Sequence, residues 1–298
     1  MEPVRLVDAC HFPATGPVDL AVSGGPDSLG LLLLAREAGL AVRVHHVDHH
    51  ARPTSTDDAH FVRELCARFA VSCQVHDVRV APGPNFEARA RTARRAVLPA
   101  TALTGHTMDD VAETIVLNLL RGAGLDGLSP MIGDPTKPLV RLRRADLHAY
   151  VAASGLVARH DETNDSPQYL RNRVRHEVLP LLDAVSGRDV VPVLARQAGL
   201  VHDERRWLDE LVGSDDRALG DVDCRELRGW PVARLRRWLR ARLASPDRGD
   251  GSHPPSFDEV ERVIAVVRGE SVATEIAGGR RVARRASRLW MQEDRRRP

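Results

Sequence analysis

The chain has 298 residues and 43% of them are hydrophobic, enough for one sizeable core and a smaller second one. Its longest apolar run, Leu29 to Ala35 broken only by Gly30, is far short of the ~20 residues that cross a bilayer, and the first 17 residues lack the basic-then-apolar order of a signal peptide, so a cytoplasmic protein without membrane contact is expected. The net charge is only +2, yet every cationic residue except Lys137 is arginine.

Residues 19–22 read as a strand, a Gly-Gly-Pro turn follows, and residues 28–38 read as a buried helix. A second strand is predicted over 41–47, followed by a helix carrying Phe61, Leu65 and Phe69 four apart, which Ser55 and Asp58 open in the manner of a capping box. A third strand at about 73–80, a basic helix over 86–98 and a fourth strand at 101–104 come next. Thr107 caps a helix that runs to Leu120 and stops at Gly122. This alternation predicts an α/β fold with a doubly wound, mostly parallel sheet, whose ligand site lies at the carboxyl ends of its strands. Residues 124–138 are loop, helical pattern resumes near Arg144, and from about residue 201 a smaller, mainly helical unit is expected, closing on a hairpin at Gly278-Gly279.

Four cysteines, at 10, 66, 73 and 224, form no C-x-x-C pair, which leaves free thiols rather than a zinc or dithiol centre. Arg228 to Arg242 holds six arginines and Arg280 to Arg288 five, with no acid in either stretch. Such clusters point to a polyanionic partner or, equally, to a solvated helix face.

Ser23-Gly24-Gly25-Pro26-Asp27-Ser28 sits between a strand and a helix. Glycines let the backbone approach a phosphate, and N–H groups at a helix N-terminus favour an anion. The string lacks the Gly-Lys-Ser/Thr ending of a Walker A loop. His45-His46-Val47-Asp48-His49-His50 closes the second strand, and its Asp-His-His triplet also matches the manganese-dependent phosphoesterases; that rival needs an Asp-x-Asp near the first strand, where the phosphate-loop string stands instead. His106 stands at the next strand end, and Asp110 and Glu113, three apart on the following helix, share a face: two carboxylates there suit an ammonium group, or simply a helix start.

The order of these blocks resembles the tRNA(Ile)-lysidine synthases of the N-type ATP pyrophosphatase (PP-loop) superfamily. They are Ser23 to Ser28; His46 to His49 with Arg52, Ser55 and Asp58; Ala88-Arg89 to Arg95; Thr104 to Glu113; Leu120 to Gly124; Lys137-Pro138-Leu139; Asp161, Asn164 and Tyr169 to Pro180. The likeness is dense over residues 18–182 and only an outline beyond, and the length matches the short form of the family. It implies a PP-loop catalytic domain with a helical extension over 1–200 and a C-terminal tRNA-binding domain over 201–298, and it allows a homodimer. The implied reaction ligates free L-lysine to carbon 2 of the wobble cytidine of the CAU-anticodon isoleucine tRNA through an adenylated base, with ATP giving AMP and pyrophosphate. ATP would lie on Ser23, Gly24, Gly25, Pro26, Asp27, Ser28, Asp48 and His106, with Mg²⁺ on Asp27. Lysine would lie on Asp110 and Glu113, and the tRNA on Arg89, Arg91, Arg94, Arg95, Arg171, Arg173 and Arg175; Asp27, His106, Asp110 and Glu113 would form the catalytic set. The four tryptophans, Trp207, Trp230, Trp238 and Trp290, could stack on bases, but helix-packing core is the main expectation. A thiolase of the same superfamily would need catalytic cysteines near the crevice, and a non-enzymatic RNA-binding protein would have no use for the loop.

Overall fold

A computed structural model of the chain describes residues 5–14, 16–48, 55–79, 86–159, 168–213, 215–244 and 255–292. Two compact units divide it, Met1–Asp203 and Glu204–Pro298.

In the first unit β1 (Val18–Ala21), β2 (Val42–Asp48) and β3 (Ser72–Asp77) form a parallel sheet in that order, with Val18 opposite Val42 and Arg43 opposite Ser72. Parallel neighbours need crossovers, and α1 (Pro26–Glu37) and α2 (Ser55–Arg68) provide them. The expected fourth strand is reduced to a single parallel bridge between Leu20 and Leu103. Pro99 has no N–H to extend a ladder, and the Thr104 N–H is taken by the Thr136 carbonyl at 3.0 Å, so only Leu103 pairs.

Helix α1 is apolar all round, with Leu29, Leu31, Leu32 and Leu34 fully buried, because it packs on the sheet and also beneath α6 (Arg144–Ala153). Gly30 makes that second contact: a Cβ there would lie 2.4 Å from a Leu147 methyl. Between these helices run α3 (Phe86–Val97), α4 (Met108–Leu120) and the short α5 (Leu125–Leu128). α4 ends where Gly122 takes a left-handed φ of 73°. Beyond α6, α7 (Leu170–Arg173) passes through one π-helical turn (Val174–Val178) into α8 (Leu179–Ser186). Pro180 accounts for the irregular turn, because it offers no N–H to the carbonyl four residues back and its ring crowds that carbonyl. The unit boundary falls within α9 (Val191–Gly213).

The second unit packs α10 (Cys224–Arg228), α11 (Val232–Leu243) and α12 (Phe257–Arg268) on an antiparallel sheet of β4 (Ala273–Ile276), β5 (Arg280–Arg285) and β6 (Arg288–Gln292). Its core holds Leu227, Leu235, Trp238, Leu239, Ile264, Val282 and Leu289. The expected hairpin is present, and its loop is the three residues Ala277-Gly278-Gly279 between the paired Ile276 and Arg280, with Gly278 and Gly279 at the left-handed φ values of 80° and 71°. A third strand follows it across Ala286 and Ser287, which adopt φ 47° and 62° without the glycine that would have marked a turn. Among the described residues no helix is long and apolar enough to cross a membrane.

Candidate active site

The phosphate-loop string joins β1 to α1, as its composition predicts. Pro26 takes the first helical position, where its missing N–H costs nothing, and Asp27 enters the first turn. Gly24 adopts φ 93°, open to glycine and strained for other residues, and a Cβ there would also lie 3.3 Å from Phe61. The Ser28 hydroxyl organises the turn: it accepts the N–H groups of Ser23 and Gly24 at 3.1 and 3.2 Å and donates to the Gly25 carbonyl at 2.9 Å. The His106 segment closes against this loop, for a Cβ on Gly105 would lie 2.5 Å from the Asp27 carbonyl oxygen. His106 itself pairs through Nδ1 with the Thr104 hydroxyl at 2.7 Å.

At the end of β2 the histidines divide by the period-two alternation of a strand. His46 Nδ1 donates to the Val22 carbonyl at 2.8 Å, holding the strand end just before the loop. His45 faces the other side, between Asp19 at 3.0 Å and His76 at 3.0 Å. Asp48 is buried as the last residue of β2, while His49, His50, Arg52, Asp161 and Asn164 lie outside the described residues. No cluster of His, Cys, Asp and Glu among the described residues is placed to hold a metal.

Asp110 and Glu113 do share one face of α4, and that face is buried, Glu113 completely. It is occupied by guanidinium groups. Glu113 accepts Arg144 at 2.9 Å, Arg171 at 2.7 Å and Arg175 at 2.7 and 3.2 Å. Asp110 accepts Arg144 and Arg171 through Oδ1, both at 3.0 Å, and the Thr107 N–H and hydroxyl through Oδ2 at 2.8 and 2.9 Å. Burial alone would raise the Asp110 carboxyl, but the charges of Arg144 and Arg171, with His106 and the Thr107 amide, hold it below its ordinary value. The same balance holds for Glu113, where burial is outweighed by the Arg175 hydrogen bond and the Arg144 charge. Neither carboxylate is open in this arrangement, so an ammonium group enters only by exchange with a guanidinium.

Arg144 was not among the residues expected here, nor was His148. Arg144 reaches both acids and stands 3.8 Å from Asp27 Oδ2, while His148 Nε2 meets Asp27 Oδ1 at 2.8 Å. Lying four apart, they occupy one face of α6, a spacing readable in the sequence once that helix is drawn. Asp109 aims them: its carboxylate accepts the Arg144 N–H at 2.7 Å at the start of α6, and Arg143 binds it from the preceding position at 3.2 and 3.3 Å. Of the other expected arginines, Arg173 is exposed and paired with Glu177 at 3.0 Å, and Arg89 and Arg95 are exposed on α3. Burial and the neighbouring Arg95 charge push the half-buried Arg94 guanidinium down from its ordinary value. The side chain of Arg91 lies outside the described residues.

The sequence is 35% identical to the tRNA(Ile)-lysidine synthase of Mycolicibacterium paratuberculosis over 97% of this chain and 95% of that protein. The chain belongs to the tRNA(Ile)-lysidine synthase family. Residues 9–182 match the PP-loop domain family, which accounts for the loop, the parallel sheet and the use of ATP. The Thermobifida fusca family member is 33% identical over 95% of this chain and 94% of its own length. Longer members exist: the chain is 36% identical to the Deinococcus radiodurans protein over 76% of its residues but spans only 40% of that relative. Nothing in these family members supports the manganese-phosphoesterase alternative.

Proposed function

We propose that this family member ligates free L-lysine to carbon 2 of the wobble cytidine of the CAU-anticodon isoleucine tRNA, turning ATP into AMP and pyrophosphate. The observation that carries the reading is likeness along nearly the full length of a lysidine synthase, with the phosphate loop and the acid-arginine cluster packed into one crevice. Cytosine O2 is a poor leaving group as oxide. Adenylation by attack on the α-phosphorus of ATP turns it into a phosphate ester, and the ε-amine of lysine then adds at carbon 2 as AMP departs.

The loop amides and the first turn of α1 would receive the ATP phosphates, with His106 and Asp48 beside the nucleotide. Each well-placed donor contributes about 3 kcal/mol where charge develops. Asp27 suits a magnesium ion: its carboxylate is about a third exposed (36%), and among the described residues Oδ2 has only Arg144 nearby, at 3.8 Å. When bound, that ion would offset charge on the departing pyrophosphate.

Asp110 and Glu113 remain the proposed lysine site, on a condition set by their arginines. Arg171 and Arg175 would move from the acids onto tRNA phosphates, and the released carboxylates would then take the lysine amine and accept its proton. Arg144, held at α6 by Asp109, would stay. Arg89, Arg91, Arg94 and Arg95 on α3, with Arg173, would grip the anticodon arm. Arg94 supports this, since a half-buried cation beside another cation is most stable with an anion present. A wobble base is already unpaired, so drawing it into the crevice costs less than opening a duplex. The second unit is proposed to hold the remainder of the tRNA. Incorporation of labelled lysine into the unmodified tRNA, with AMP as coproduct, tests the whole assignment.

A further inference from the structure

The two arginine clusters of the second unit have different fates. Most of the first is used internally: Arg228 donates to the Val267 carbonyl, Arg236 pairs with Glu261, Arg237 with Asp209, and Arg242 donates to the Arg217 carbonyl. In the second cluster Arg280 is buried against the Leu243 carbonyl, but Arg281 and Arg285 are exposed and their side chains make no hydrogen bond or ion pair among the described residues.

The sheet register puts these two on one face. Arg281 lies opposite Gln292, Ala283 opposite Trp290, and Arg285 opposite Arg288; on the other side of β5, Glu275 is opposite Arg281 and Ala273 opposite Ala283. Directly paired residues project to the same side, and so do residues two apart, so this face carries Trp290 midway along the edge strand β6, with Arg281 towards one end and Arg285 and Arg288 towards the other. The opposite face buries Ile276, Val282 and Leu289 in the core, which fixes the Trp290 face outward. Ala283, directly opposite Trp290, and Ala273 on the strand beyond it are too small to cover an indole. Trp290 is accordingly 55% exposed, whereas Trp238 is fully buried and Trp230 packs edge-on against it. Glu275 is the acid on this face. Arg288 also reaches the Gly220 carbonyl at 3.0 Å.

We propose that the outward face of β4, β5 and β6 is an RNA platform on which Trp290 stacks with an unpaired base of the tRNA while Arg281 and Arg285 meet the flanking phosphates. An exposed aromatic ring flanked by two cations whose side chains make no ion pair among the described residues, and faced across the strand only by an alanine, matches a base between two phosphates in shape and charge. The proposal rests on the tRNA reading above and adds to it a specific contact remote in sequence from the crevice residues.

The test compares binding of the full-length chain and its W290A, W290F, R281Q and R285Q variants to an unmodified tRNA(Ile) transcript across a salt series. Lysine attachment by the unaltered chain is measured in parallel, and circular dichroism melting checks that each variant folds. W290A is expected to weaken tRNA binding by about tenfold, W290F to restore most of it, and R281Q and R285Q each to flatten the slope of log K against log salt by about 0.7 to 0.9. If the unaltered chain binds tRNA and attaches lysine while folded W290A binds as tightly, the platform is overturned alone and the face is left to a protein partner. If W290F loses as much as W290A, stacking is overturned. If the unaltered chain neither binds tRNA nor attaches lysine, the functional reading fails and takes the platform with it.

Discussion

Arg175 Nε donates to Glu113 Oε1 at 2.7 Å across 62 residues of sequence, joining the π-helical turn to the buried face of α4. With Arg144 and Arg171 it surrounds a carboxylate that has no contact with solvent. Removing the acid would leave three guanidinium groups around an empty space. Breaking a buried ion pair from one side typically costs about 3–5 kcal/mol. Glu113→Ala is therefore expected to lower the unfolding free energy by about that amount in a urea titration. A change under about 1 kcal/mol would mean the cluster is well solvated.

The same acids set an expected pH dependence. Both Asp110 and Glu113 are held below their ordinary values in the folded chain. A depressed carboxyl stabilises the fold fully above its unfolded pKa of about 4, and the contribution is lost as pH falls through the folded value. Stability from these two groups should be level from about pH 8 to 5 and fall below about pH 4. In Asp110→Asn the acid limb should be shallower; an unchanged limb would place the acid sensitivity elsewhere.

Exchange of Arg171 and Arg175 between acids and phosphates predicts coupled binding. Lysine should bind more tightly when tRNA is present, by about 5- to 150-fold if the coupling has ordinary size. Calorimetric titration of lysine with and without tRNA measures this. Equal lysine affinities in the two titrations would contradict the exchange, and Arg171→Ala should reduce the difference.

Gly105 offers a test of the loop. A Cβ would meet backbone, at 2.5 Å from the Asp27 oxygen and 2.8 Å from its carbon, and backbone cannot rotate away. Overpacking of this kind costs about 1–3 kcal/mol. Gly105→Ala is expected to stay folded but to weaken ATP binding by about tenfold, measured by equilibrium dialysis. Unaltered ATP affinity would show that the contact between the His106 segment and α1 does not shape the phosphate site.

Much of this was legible in the sequence. The glycines and serines of the loop, the helix start at Thr107 and the shared face of Asp110 and Glu113 follow from local rules, and local rules place them correctly. Arg144 and His148 escaped because their meaning depends on α6 crossing α1, a contact set by Gly30 and Leu147 and by no motif around residue 144. The sequence assigns Arg171 and Arg175 to the tRNA alone, since nothing nearby in sequence shows that acids some 60 positions earlier will claim them. The strand expected at 101–104 shrank to one bridge because Thr136, distant in sequence, takes the amide that would have continued it. The turn at Ala286 and Ser287 carried no glycine and so hid β6, and with it the face that Trp290 shares with Arg281 and Arg285.

Lysine ligation itself is measured by incubating the purified chain with unmodified CAU-anticodon isoleucine tRNA, radiolabelled lysine, ATP and Mg²⁺, and following label in the RNA together with nucleotide products. ATP-dependent label at the wobble cytidine and one AMP per lysine attached are expected. Formation of AMP without any label in the RNA would contradict the substrate assignment, and untouched ATP would contradict the reaction itself.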